Sequence, residues 1–247
     1  MRNKLTRDEK LILQEAARIK HRLSEMADFS NIDEPPQIDR DERIRLAIIA
    51  GKIKNLAGKD LSVLELRNAK LGGADLRGAN LRGANLEGAW LVSVDLSDAN
   101  LSDADLRDAY LSDANLSGAV LEGADLGDAY LRRAYLVGAD LSGAKLEVAD
   151  LSGANLSGAN LEGANLEGAE LIDANLGGAE LRYANLADAN LGGAELRYAN
   201  LANANLGGAE LNGADLWKAD LSGAIMPEGW EEVILGVPAV YPDGSRS

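Results

Sequence analysis

The sequence predicts an all-β solenoid with an N-terminal α-helical extension and a C-terminal cap, on three observations. Leucine occupies every fifth position from Leu61 to Leu221 without a gap. Two places before each leucine from Leu71 onward the residue is alanine, Val94 being the one exception. The second residue after each leucine is most often Gly, Asp or Asn, as at Gly73, Gly78, Gly83, Asp98 and Asp103.

A period of five fits neither regular element. On an α-helix a step of five advances about 500°, so the leucines would smear round the whole surface. On a flat strand five is odd, so successive leucines would point to opposite faces. Within one pentad, however, Ala and Leu are two apart. That suits a short extended piece with both side chains inward and the residue between them outward. The two residues that follow must turn the corner, and Gly, Asp and Asn tolerate the positive φ that a tight corner needs. Repeated corners of one hand wind a coil, and each coil touches only its neighbours.

The tandem pattern A-(D/N)-L-x-x, as in "ADLRGANLRGANLEGAW", resembles the signature of the pentapeptide-repeat family. It covers residues 57–226, about two thirds of the chain. The resemblance implies a right-handed, four-sided parallel β-helix with four pentads per coil. About eight coils, roughly 40 Å long at β spacing, are then expected. Three domains follow: residues 1–56 as a helical region and cap, 57–226 as the β-helix, and 227–247 as a C-terminal cap.

Taken in order, "LTRDEKLILQEAARIKHRLSEMADF" reads as a helix, with Thr6 and Glu9 as a capping box. Ile12, Ala16, Ile19, Leu23 and Met26 form a seam at heptad spacing. Pro35 and Pro36 break the chain. A second helix is expected from Asp39 or Asp41 to about Gly51. The first pentads carry Lys59 and Leu64 in place of the inward alanine, so the first coil is irregular. The repeat ends at Met226, and Pro227 and Trp230 open a different segment of strand and turns. Open β edges invite aggregation, so Val233–Val237 with Trp230 and the second helix read as lids. The seam Ile12, Ile19, Leu23 and Met26 either belongs to a cap, or docks a partner or a second copy. A monomer and a homodimer both fit.

Composition narrows function. The chain has no cysteine and one Phe, and its apolar content is nearly all Leu and Ala. A narrow interior packed with leucine has no room for a substrate. Absent cysteine excludes disulfides and thiolate metal sites and fits a reducing compartment, so a cytoplasmic location is expected. Charge runs through the apolar part of "MRNKLTRDEKLILQEAARIK", unlike a secretory signal, and no apolar run of about 18 residues exists to span a membrane. His21 is the single histidine, flanked by Lys20 and Arg22, and reads as solvated. The serines have no histidine beside them, and the glycines of "LGGAEL" serve turns rather than a phosphate cradle. No enzyme activity and no cofactor are expected.

Function must then lie on the outer surface. Residues twenty apart stack on one side of adjacent coils, so Lys70, Trp90, Tyr110, Tyr130 and Asp150 form a column with Val92 beside it, and Tyr135 lies one side round. Stacked like neighbours stabilise a sheet, and an exposed aromatic stripe also suits a protein partner; both readings stand. Residues 57–226 hold 26 acidic and 12 basic residues, so −14 of the formal −15 lies there. Asp105 stacks on Asp125, and Asp108 on Asp128, with Arg107 positioned to offset their repulsion. This acidic patch is a solvated face, a partner-binding face, or a weak cation site. "DLSDANLSDADLRDAYLSDAN" looks calcium-like, but consecutive pentads face different sides and the Asp-then-Gly order of an EF-hand loop is missing. "NLGGAELRYANLADA" at 175–189 recurs fifteen residues on, a quarter turn round, so Tyr183 and Tyr198 fall on different faces. That region reads as structural.

The family resemblance also implies an alternative. Some pentapeptide-repeat proteins resemble duplex DNA in size and charge and bind DNA gyrase or another type II topoisomerase in its place. Direct nucleic-acid binding is not expected of an acidic rod. The sequence departs from those inhibitors: every central residue is Leu, no loop interrupts the coils, and no dimerising helix closes the C-terminus.

Overall fold

The structure, a computed structural model, describes residues 40–231 and 239–245. The seam of Ile12, Ile19, Leu23 and Met26, the histidine at 21 and the stretch Val233–Val237 lie outside the described residues.

From Asn55 onward the outward residue of each pentad forms a parallel bridge with the residue twenty further on: Asn55 with Asp75, Asp60 with Asn80, and so on to Asn205 with Ile225. A step of twenty is four pentads, so each coil has four sides. The backbone shows why five residues suffice for one side and one corner. Leu96 N–H donates to the Asn115 carbonyl at 2.7 Å and Gly78 N–H to the Ser97 carbonyl at 2.9 Å, both one coil ahead. Asn100 N–H reaches back to the Ala79 carbonyl at 2.9 Å. At the corner Ala79 N–H closes a turn on the Leu76 carbonyl at 3.0 Å. Its third residue, Gly78, has φ +59, the positive value that a type II turn requires there. The same position takes φ 57 at Asp98 and Asp108, and is held by bulky residues at Val148 (φ 59) and Tyr183 (φ 60). Side chains cost about 1–2 kcal/mol each in this conformation, which explains why Gly, Asn and Asp dominate.

One backbone donor per pentad remains, that of the residue after leucine. Where the outward residue is Asp or Asn, its side chain accepts that N–H. Ser102 N–H donates to Asn100 Oδ1 at 3.0 Å, Ser142 N–H to Asp140 Oδ1 at 3.0 Å, and Gly177 N–H to Asn175 Oδ1 at 2.9 Å. The Asp/Asn preference is therefore a backbone requirement as much as a surface one. Between coils, amides also run as a ladder, Asn205 Nδ2 to Asn185 Oδ1 and Asn185 Nδ2 to Asn165 Oδ1, each at 2.9 Å.

The interior is leucine and alanine. From Leu66 to Ala204 every inward position is at most 2% exposed, and among the described residues no polar side chain is buried. Lys59 is exposed and Leu64 only partly buried, matching the irregular first coil.

Helix α1 spans Arg40–Ile49. Its end is a Schellman closure: Gly51 N–H donates to the Ile48 carbonyl at 2.8 Å and Lys52 N–H to the Ala47 carbonyl at 3.0 Å, with Gly51 at φ +67. Ile48 is fully buried in the same cluster as the leucines, and Ile49 and Ile53 pack against it. The Ile49 carbonyl accepts Lys70 N–H at 2.9 Å, which ties α1 to the first coil.

At the other end Met226, Trp230 and Tyr241 pack against the core. Gly229 (φ +74) turns the chain, and Trp230 and Glu231 are helical where the sequence reads as strand and turn. Val240 then bridges Asp220, again at a step of twenty, and Leu221 N–H donates to its carbonyl at 2.9 Å. Trp230 and Tyr241 meet at 6.2 Å between ring centroids.

Candidate interaction surface

Because successive coils are in register, side chains twenty apart are neighbours. Trp90 and Tyr110 lie with ring centroids 5.5 Å apart, and Tyr110 and Tyr130 stack at 5.0 Å with only 6° between their planes. The three are 52%, 41% and 43% exposed, so the ladder presents ring edges to solvent while its faces cover one another. Lys70 and Asp150 bridge its two ends. The preceding coil makes room for the indole at Gly72: a Cβ there would sit 2.7 Å from Trp90 Cδ1. Lys54, Asn68, Lys70 and Val92 line a shallow open depression around Trp90. An aromatic side chain cannot accept the N–H that Asp or Asn accepts elsewhere, so the backbone donors of Val92, Ser112 and Arg132 have no partner among the described residues. Tyr135 lies on the next side, bridged to Asn115 and Asn155, and is 53% exposed.

The four carboxylates of the acidic patch separate into two pairs. Asp105 and Asp125 lie on one side of the coil, and each has a cation. Arg107 chelates Asp105 at 2.8 and 2.6 Å and also reaches Glu87 at 3.5 Å, and Lys145 approaches Asp125 at 3.4 Å. Asp108 and Asp128 sit at the corner, exposed, with no ion-pair partner among the described residues. That corner is the one that borders the aromatic ladder, since each is two residues before Tyr110 or Tyr130. At the opposite corner Arg133 neutralises Asp113 through contacts of 2.9 and 2.9 Å. Among the described residues no group of three or more His, Asp and Glu side chains is arranged to hold a metal ion.

A second aromatic contact escaped the sequence reading. Tyr198 meets Trp217 edge to face at 4.8 Å, with Lys218 Nζ 4.4 Å from the Trp217 ring centre. The partners are nineteen apart, so a search in steps of twenty passes over them; their signal is an adjacency across a corner.

The surface charges set a pH response. The guanidinium of Arg77 holds the Asp75 carboxyl below its ordinary value, Arg107 does the same for Asp105, and Arg197, at 2.5 Å, for Asp215. Their folded pKa values are depressed, so the stabilisation is present above the unfolded pKa and is lost as pH falls through the folded one. Thermal stability should therefore hold from neutral pH to about pH 4 and decline below it. Circular dichroism melts from pH 7 to pH 2 test this; a decline already complete at about pH 5 would contradict the assignment.

Among the described residues no helix is long and apolar enough to cross a membrane. A family profile for pentapeptide repeats matches the chain in segments from residue 60 to residue 226. No curated protein sequence matches it. Among solved structures, a trypsin-treated form of QnrB1, a plasmid-mediated fluoroquinolone resistance protein, is similar at a TM-score of 0.58 and 25% identity, over 74% of this chain and 94% of that one. HetL, a pentapeptide repeat protein involved in heterocyst differentiation regulation in the cyanobacterium Nostoc sp., is 38% identical over 78% of this chain and 87% of its own, at a TM-score of 0.30. A pentapeptide repeat protein from the thylakoid lumen of Arabidopsis thaliana is 31% identical over 44% of this chain and 79% of its own, at a TM-score of 0.32.

Proposed function

The chain belongs to the pentapeptide-repeat family, and from that premise we propose that it is a non-catalytic rod, of about eight coils, that presents its outer sides to protein partners. Trp90, Tyr110 and Tyr130 are the first contact surface, with Tyr135 one side round. The observation that carries this reading is the ladder itself: three large aromatics, each at least 41% exposed, on a rod whose interior is filled with leucine. Hydration of exposed aromatic surface is relieved by a partner, and interface energy concentrates in Trp and Tyr. In this reading residues 1–56 and 227–247 close the ends of the solenoid at 57–226. The seam of Ile12, Ile19, Leu23 and Met26 serves recruitment or dimerisation, and the protein works in the cytoplasm without a cofactor.

The double substitution Trp90→Ser and Tyr110→Ser should leave the far-UV spectrum unchanged and abolish capture of partners from the native host. Unfolding of the double variant would assign the ladder to stability instead.

A second reading is supported by the likeness to QnrB1 at a TM-score of 0.58 and by the formal charge of −15: an inhibitor of DNA gyrase or another type II topoisomerase that takes the place of DNA. Full activity in a gyrase supercoiling assay at micromolar protein would remove it.

A further inference from the structure

We propose that the ladder of Trp90, Tyr110 and Tyr130, together with the corner of Asp108 and Asp128, is a seat for a basic amphipathic α-helix of a partner protein lying along the rod. The inference rests on the contact surface proposed above and names the class of its occupant.

Two geometries coincide. The ladder repeats at 5.5 and 5.0 Å between ring centroids. An α-helix rises about 5.4 Å per turn and presents one apolar residue per turn at i, i+3 or i+4, and i+7. A helix parallel to the rod axis therefore places one apolar side chain against each rung, and three rungs take about two turns. An extended peptide on the same path advances about 6.6–6.8 Å between side chains on one face and drifts out of step by the second rung.

Charge then selects the helix. Of the carboxylates around the ladder, Asp113 is paired with Arg133 and Asp150 with Arg132, at 2.9 and 3.5 Å. Among the carboxylates that border the ladder, Asp108 and Asp128 alone are exposed with no ion-pair partner among the described residues, while the cations Lys54 and Lys70 lie together at its Trp90 end. The two aspartates too are one rung apart, on one edge only. A fitting helix carries Lys or Arg on the flank beside its apolar stripe, one per turn, and long basic side chains can lay their stems over the tyrosines while their charged ends reach the corner.

The probe is a fluorescein-labelled designed helix with Leu at i, i+3, i+4 and i+7 and Arg along one flank, read by anisotropy against the full chain. Its control carries Glu at the same positions. The Arg helix should bind at least about tenfold tighter than the control. Asp108→Asn with Asp128→Asn should weaken it about fivefold, the size expected of two exposed charge contacts. Trp90→Ser with Tyr110→Ser should abolish it.

Equal or tighter binding of the Glu helix overturns the charge class. If that binding still needs Trp90, the contact surface stands while the basic helix falls. Binding of neither helix, or binding indifferent to both aspartates, overturns the proposal. Self-association of the full chain that depends on Trp90 replaces the partner helix with a second copy. The contact surface itself falls if the Trp90 and Tyr110 variant unfolds, or if it folds and keeps every host partner.

Discussion

Leu131→Ala is expected to remove about 2–5 kcal/mol of stability, as is typical of truncating a fully buried leucine. Leu131 is 0% exposed, midway along the rod, and lies in a column of leucines. Its neighbours are held by backbone bonds on all four sides, so they cannot collapse into the space left behind. The cavity therefore persists, and its cost adds to the lost burial. The architecture adds a second consequence. Each coil contacts only the coils before and after it, so a defect in the middle weakens the coupling between two halves that are otherwise intact. Urea denaturation followed by far-UV circular dichroism should show a lower midpoint and a broader transition. A loss below about 1 kcal/mol would mean that the interior rearranges freely, against its close packing. Ile225, 61% exposed, is the control, and its alanine variant should lose far less.

Gly51→Ala is expected to cost about 2 kcal/mol or more and to release α1 from the first coil. Gly51 has φ +67, and a Cβ there would lie 2.5 Å from the Lys70 carbonyl oxygen. That oxygen is backbone in a paired coil and cannot swing aside as a flexible side chain would. Relief requires the chain at 49–52 to lift, which breaks the 2.9 Å bond from Lys70 N–H to Ile49. The buried Ile48 then loses its place over the leucines. Amide hydrogen exchange should quicken at Lys70, while coils beyond Leu91 keep their protection. Gly58 makes a discriminating control: its φ is +62, yet a Cβ there meets nothing within 4 Å. Gly58→Ala should therefore show only the conformational cost, about 1–2 kcal/mol. If the two variants lose equally, the contact with Lys70 plays no part and α1 does not close the coil end.

The acidic patch shows where a reading by columns stops. Asp105, Asp108, Asp125 and Asp128 are equivalent in charge and spacing. The structure divides them: on the extended side Asp105 lies two residues before Arg107, within chelating distance, and Asp125 within reach of Lys145, while Asp108 and Asp128 at the corner make no ion pair among the described residues. The ladder was legible, since Trp90, Tyr110 and Tyr130 recur at twenty. Its union with the corner aspartates was not, because the outward positions and the corner positions lie in separate columns of the twenty-residue register. Contacts that cross columns stayed hidden for the same reason, including Tyr198 with Trp217 and the space at Gly72 for the indole of Trp90.

The sequence by itself determined the inside of this protein, and with the four pentads per coil that the family resemblance implies, it also placed each outer side chain on the rod. A strict period makes each backbone unit equivalent, so once the number of pentads per coil is known, sequence number maps onto side, corner and coil. The tertiary structure alone decided how the outer side chains pair and how the ends close. A repeat constrains the main chain, whereas long charged side chains choose among neighbours eighteen to twenty-one residues away, as Arg82 chooses Asp103 and Arg197 chooses Asp215. Gly51 and Trp230 lie outside the repeat, before its first coil and after its last, and contacts of α1 and of the C-terminal residues with the terminal coils set their place.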